Sequence, residues 1–231
     1  MPIQSRLIRF AGAAFAAALM QVSLTGCQAG AARRDGFAAG ADRPPTPRTL
    51  QMMARLLSEN GRADQAEYVL LKALEQNPGY LPGYIELADL QIRSQRYPAA
   101  VATMEKAHEI APKDPVIANN LGVLYLRSKR FAEASEAFNT AVSIDPDEAR
   151  YRGNLALSLG LQGMYRESYE AYSVVLGPSE AYWNIGVISE ARHDMTRAEA
   201  FFNMSHRLAA GDAEPGFAEF DRGVTASVPT E

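Results

Sequence analysis

Apolar and polar positions alternate along this chain with a helical period, broken by short polar turns. In residues 115–148 the pattern is sharpest. Leu121, Gly122, Leu124 and Tyr125 form one apolar stripe, and Ala134, Phe138 and Ala141 form a second. Recurrence at three- and four-residue spacing predicts two amphipathic helices with a tight turn between them. Pro146 stops the second, because proline lacks the N–H and clashes with the preceding turn. Helices this short are marginal alone in water, so each pair must bury its face on another.

The landmarks return every 34 residues. The closing proline recurs as Pro78, Pro112 and Pro146, and a small residue on the first helix as Ala54, Ala88, Gly122 and Ala156. The second helix repeats Ala66 and Ala73, then Ala100 and Ala107, then Ala134 and Ala141; one step further these become Ser168 and Val175, so the fourth unit is looser. Five units follow, near 47–80, 81–114, 115–148, 149–178 and 179–210, the fourth cut short at Gly177-Pro178. The pattern predicts helix pairs near 48–60 and 63–76, 82–94 and 97–110, then 149–161 and 165–176 in unit four. In unit five, Ser179 is placed to cap a helix through Trp183 and Ala191, and a last helix runs from Met195 to Ala209. A period of this length marks a stacked-helix solenoid.

These residues resemble the tetratricopeptide repeat over about 47–210. The resemblance implies an all-α, right-handed superhelical solenoid, with first helices lining a concave wall. Position 6 of each repeat would face that wall: Met52, Glu86, Asn120, Asn154 and Asn184. In peptide-binding members such an asparagine bonds the backbone of an extended ligand, its carboxamide both donating and accepting. Val123, Leu126, Leu157, Leu161 and Val187, with Trp183 beside Asn184, are apolar neighbours of this ladder. The candidate groove is therefore Asn120, Val123, Asn154, Leu157, Leu161, Trp183 and Asn184. It suits a peptide or amphipathic helix from a partner protein, while packing between helices is the competing role for the apolar members.

The first 26 residues follow another pattern. Arg6 and Arg9 precede an apolar run, Phe10 to Leu24, too short for a membrane span and typical of a secretory leader. The run ends in Leu24-Thr25-Gly26-Cys27, which resembles a bacterial lipobox. That resemblance implies cleavage before Cys27 and its acylation, and Gln28 next to it implies the periplasmic face of the outer membrane. Residues 27–46, rich in Ala, Gly, Arg and Pro, read as the lipidated cysteine and a flexible tether, and 211–231 as a disordered tail in which Phe217 and Phe220 either dock or stay exposed.

Composition narrows the function classes. A net charge of −4 and the lack of a long basic run argue against nucleic acid. One cysteine excludes an intramolecular disulfide framework, and Cys27, His108, His193 and His206 have no metal-ligand spacing. Glu133 with Glu136 and Glu167 with Glu170 fit a solvated helix face better than a catalytic pair. No phosphate loop, catalytic triad or cofactor motif is present, so the expectation is no enzyme and no cofactor. A lipobox followed by such repeats resembles bacterial envelope lipoproteins: the TadD type of the tight-adherence (Flp) pilus, type IV pilus pilotins that assist a secretin, and adaptors of peptidoglycan enzymes. The run Asn154 to Gly163 and the shortened fourth unit are similar to the TadD type. The expected role is a membrane-tethered scaffold that aids assembly of a pilus or secretion channel. The alternatives are an adaptor for peptidoglycan-remodelling enzymes and, from a different class, a self-stacking structural subunit.

Overall fold

The computed structural model describes residues 44–213, 216 and 217. The leader 1–26, Cys27, most of the tether 27–46 and most of the tail 211–231 with Phe220 lie outside the described residues. The described helices all belong to one compact unit, Pro45–Glu231.

Among the described residues that unit has ten helices and no strand. They run α1 Pro47–Glu59, α2 Ala63–Gln76, α3 Leu81–Arg93, α4 Tyr97–Ile110, α5 Pro115–Arg127, α6 Phe131–Ile144, α7 Ala149–Leu161, α8 Tyr165–Ser173, α9 Pro178–Ala191 and α10 Met195–Ala209. Odd-numbered helices are the first of each pair. The first helices begin with proline in their opening turn in four units of five, where the missing N–H costs nothing. Thr46 caps α1 and Asp114 caps α5, the latter accepting from Val116 N at 2.9 Å and Ile117 N at 3.2 Å.

One turn joins the helices of every pair. Its fifteenth unit position is left-handed each time: Gly61, Gln95, Lys129, Gly163 and His193, with φ between 58° and 86°. The next residue then donates its N–H back across the turn, Arg62 to Leu57 O (2.9 Å), Arg96 to Gln91 O (2.8 Å), Arg130 to Tyr125 O (2.8 Å), Met164 to Leu159 O (3.0 Å) and Asp194 to Ser189 O (2.9 Å). This six-to-one bond closes a Schellman motif and satisfies a carbonyl the helix would leave orphaned.

Small residues set the packing. Ala66, Ala73, Ala100, Ala107, Ala134 and Ala141 are wholly buried where the helices cross. In unit four Ser168 takes this place, and its hydroxyl donates to Ala156 O at 2.8 Å, so the buried polar group is satisfied. Each first helix packs on its own second helix and on the preceding one. First helices of successive units also touch at three of the four junctions, whereas second helices stand further apart. The array therefore curves with its first helices on the inner wall.

Unit four departs from the expected boundaries. The apolar run Val174-Val175-Leu176 continues the helical pattern, yet α8 ends at Ser173 after nine residues. Val175 stands where the other units bring a small residue to the crossing, and Gly177-Pro178 follows at once. The cap of α9 also differs: Gly177 is the N-cap and Pro178 opens the helix, while the Ser179 hydroxyl donates to Ser205 O at 3.0 Å. Phe217 is docked, in the space described below.

Candidate binding groove

The inner wall changes character along the array. In units one and two it is ionic. Arg55 pairs with Glu86 at 2.5 Å, and Gln51 Nε2 donates to the same carboxylate at 3.4 Å. The Arg55 guanidinium holds the Glu86 carboxyl below the usual range, against the opposing effect of burial. Arg93 pairs with Asp89 on α3. Glu86, at the first polar rung of the ladder, is thus bound within the wall.

From unit three the wall is amide and aliphatic. Asn120 and Val123 of α5, with Ile85 and Ile92 of α3, line a cleft of about 190 Å³. The Asn154 side-chain amide donates to Asn119 Oδ1 at 2.8 Å, tying α7 to α5. Its own carbonyl oxygen keeps acceptor capacity. Leu157 and Leu161 are half-buried on α7 and Asn184 on α9, so each presents part of its surface. Met52 at the start of the ladder is largely exposed.

Trp183 stands at the end of the series. Its ring packs on Phe202 of α10 at 4.8 Å between centroids and edge-on to His206 at 5.8 Å, leaving it 46% exposed. Trp183 is therefore anchored on the last second helix, with one face open.

Two features of the fold lay outside the sequence reading. A cleft of about 380 Å³ at the turns of units four and five is bordered by Arg166, Arg192, Arg197, Glu167 and Phe217. Arg192 spans the turn, donating to Leu161 O. On the outer wall, a groove of about 460 Å³ lies between α2 and α4. Its signal in the sequence is Leu71, a large apolar residue set off the buried stripe of α2 and half exposed. Among the described residues no group of three or more His, Cys, Asp or Glu side chains could hold a metal ion. None of these residues lies in a helix long and apolar enough to cross a membrane.

Comparison with known proteins follows the same lines. Residues 57–106 and 91–157 match the tetratricopeptide repeat. The Mus musculus protein O-mannosyl-transferase TMTC1 is 26% identical over 137 residues, covering 57% of this chain and 14% of that protein, so the match spans about a seventh of the relative. Among solved structures, YrrB, described as a TPR protein with an unusual peptide-binding site, superposes with a TM-score of 0.58 at 17% identity over 82% of this chain and 97% of that one. MamA of Desulfovibrio magneticus RS-1 gives 0.50 at 22% identity over 58% and 76%. At these identities the likeness is one of fold. With its five helix pairs, its recurrent turn and the repeats matched over 57–157, the fold is an all-α solenoid of tetratricopeptide repeats.

Proposed function

We propose that this protein is a non-enzymatic adaptor of the bacterial envelope, which holds a peptide or helix of a partner protein in its concave groove. The fold supplies a protein-interaction scaffold. The observation that carries the reading is the change along the inner wall, from the closed ionic set Arg55–Glu86 to Asn120 and Asn154 flanked by Val123, Leu157 and Leu161. Amides beside aliphatics suit a ligand that offers backbone groups and apolar side chains together. The peptide-binding site ascribed to YrrB, on the same fold, supports this use of such an array.

Tethering completes the proposal. Acylation at Cys27 would hold the array at the outer membrane, facing the periplasm, and confine the groove to a thin layer where its partner works, which raises effective concentration without any new contact. The partner is a component of a pilus or secretion channel. A crosslinking pull-down from intact envelopes tests groove and partner at once, comparing wild type with the variant Asn120→Ala, Asn154→Ala, Trp183→Ala after circular dichroism has shown it folded. Capture of a secretin or pilus component by wild type alone is the expected result. Equal capture by both would remove the concave wall from the interaction.

A self-stacking role has one observation in its favour. Met53 and Leu56 of α1 are 51% and 59% exposed, whereas their register equivalents Leu87 and Leu90, and Leu121 and Leu124, are buried under the preceding second helix. A molar mass that rises with concentration in light scattering, and falls back in Leu56→Glu, would favour this second reading.

A further inference from the structure

The outer wall carries a repeated recess, filled in one place and open in another. It lies between the second helices of successive units, above the first helix of the later one. Tyr182 in unit five and Tyr84 in unit two hold the same register position in its floor, and Phe201 and Thr103 hold the same position on its far side. Between α8 and α10 the chain's own Phe217 occupies it. The Phe217 ring lies 5.4 Å from Tyr169, 6.1 Å from Tyr182 with only 9° between the planes, and 6.1 Å from Phe201.

Between α2 and α4 the recess is open. Thr103 stands in place of the Phe201 ring, and the space is about 460 Å³, within the range of pockets that engulf a ligand group. Leu71, half exposed, and Pro78 form its near wall, and Lys106 stands on its rim. An aromatic ring seated among Leu71, Pro78 and Ala102, the exposed part of the lining, would gain apolar burial as Phe217 does between α8 and α10.

We propose that this groove is a second binding site, distinct from the concave wall, which takes a phenylalanine side chain carried on an extended acidic segment of a partner protein. The filled recess supplies the chemistry of the occupant: a phenylalanine reached through Gly216, from a stretch whose sequence holds Glu214, Glu219 and Asp221. Lys106 meets such a carboxylate at the rim, while the groove's own carboxylate, Glu75, is already paired with Lys72 at 2.7 Å. Because the two sites lie on opposite walls, a partner can be gripped at the outer groove while the inner one stays free.

The probe is a fluorescent peptide of residues 211–222, GDAEPGFAEFDR, titrated into the full chain by anisotropy, beside a control peptide carrying Phe217→Ala and Phe220→Ala. Saturable binding of the phenylalanine peptide is expected, at least tenfold weaker in the protein variants Leu71→Glu and Ala102→Glu and unchanged in Asn120→Ala, Asn154→Ala. Both groove positions are exposed, so either variant should fold, with circular dichroism as the check. Binding that survives both groove variants overturns the proposal, as does binding lost with the asparagine variant or no saturation at millimolar peptide. A wild-type chain that dimerises through Leu71 without peptide overturns the assignment to a separate partner.

Discussion

Phe138 sits so close over Gly122 that a Cβ added to the glycine would lie 2.6 Å from its Cε1 atom. The same relation recurs between Gly186 and Phe202, also at 2.6 Å. In two of the three units with alanine at the first-helix position, the register equivalent of Phe138 is the smaller or more pliable Leu70, with Ala54, or Met104, with Ala88; in the looser fourth unit Ala156 goes with Tyr172. Units one, two, three and five thus keep the sum of the two side chains rather than either one. Gly122→Ala should destabilise the protein by about 1 kcal/mol, since overpacking costs about 1–3 kcal/mol and the gain in helix propensity returns about 1. Adding Phe138→Leu should recover most of that loss. A double-mutant cycle by urea unfolding checks it, and simple additivity would sink the pairing.

The left-handed turn position gives a test of opposite sign. Nothing lies within 4 Å of a Cβ built on Gly61, so Gly61→Ala meets no clash and reports backbone strain alone, about 1–2 kcal/mol of lost stability. Lys129 holds φ of 58° with a full side chain, and Lys129→Gly should raise stability by a few tenths to about 1 kcal/mol. Thermal unfolding of the two variants should therefore move in opposite directions.

Tyr125 sets part of the alkaline limit, together with Tyr182, whose burial also pushes its pKa up to about 12. For Tyr125, burial, then the bond its hydroxyl donates to Glu105 at 2.7 Å, push the pKa up to about 12. The folded state prefers the neutral phenol, so this contribution is whole below the ordinary tyrosine value near 10 and is lost as pH rises through 12. Urea midpoints should fall between pH 9 and pH 11 by less in Tyr125→Phe than in wild type. Parallel declines would leave Tyr125 without this role.

Glu86 governs part of the acid limit. Its carboxyl is lowered chiefly by the hydrogen bond from Arg55, so the folded state prefers the ionised form. That stabilisation is present above the ordinary carboxylate pKa and is lost as pH falls through the lowered one. In Arg55→Ala the Glu86 carboxyl should titrate higher in carbon-detected NMR, and the stability gap to wild type should close on acidification. A Glu86 pKa unmoved by the substitution would assign the shift to another source.

Much of the fold was legible because its constraints are local and periodic. Prolines, crossing alanines and turn positions recur at fixed intervals, and α2, α4 and α10 begin and end where the pattern places them. The early end of α8 was not legible, because Val174-Val175-Leu176 satisfies the helical period and fails only on side-chain size at a crossing. The asparagine ladder could be read as a row, but not the Asn154–Asn119 bond, which depends on how two units meet. The outer groove escaped because it forms only where the second helices of two units meet, and Leu71 by itself does not tell a groove from an exposed apolar residue.

The nine-residue α8 divides more than a helical register. The apolar core is continuous from Ala54 to Leu124, a small cluster of Ala118, Ala141, Val142 and Tyr151 joins units three and four, and an aromatic cluster of Tyr165, Tyr169, Tyr182 and Phe201 holds units four and five. In a linear array each block is stabilised by its neighbour across one boundary. Amide protons of α9 and α10 should then exchange as one cooperative group, opening at lower free energy than those of α3 to α6. The C-terminal third of the protein is in this sense a foldon of its own, able to loosen around an incoming partner while the rest of the array keeps its shape.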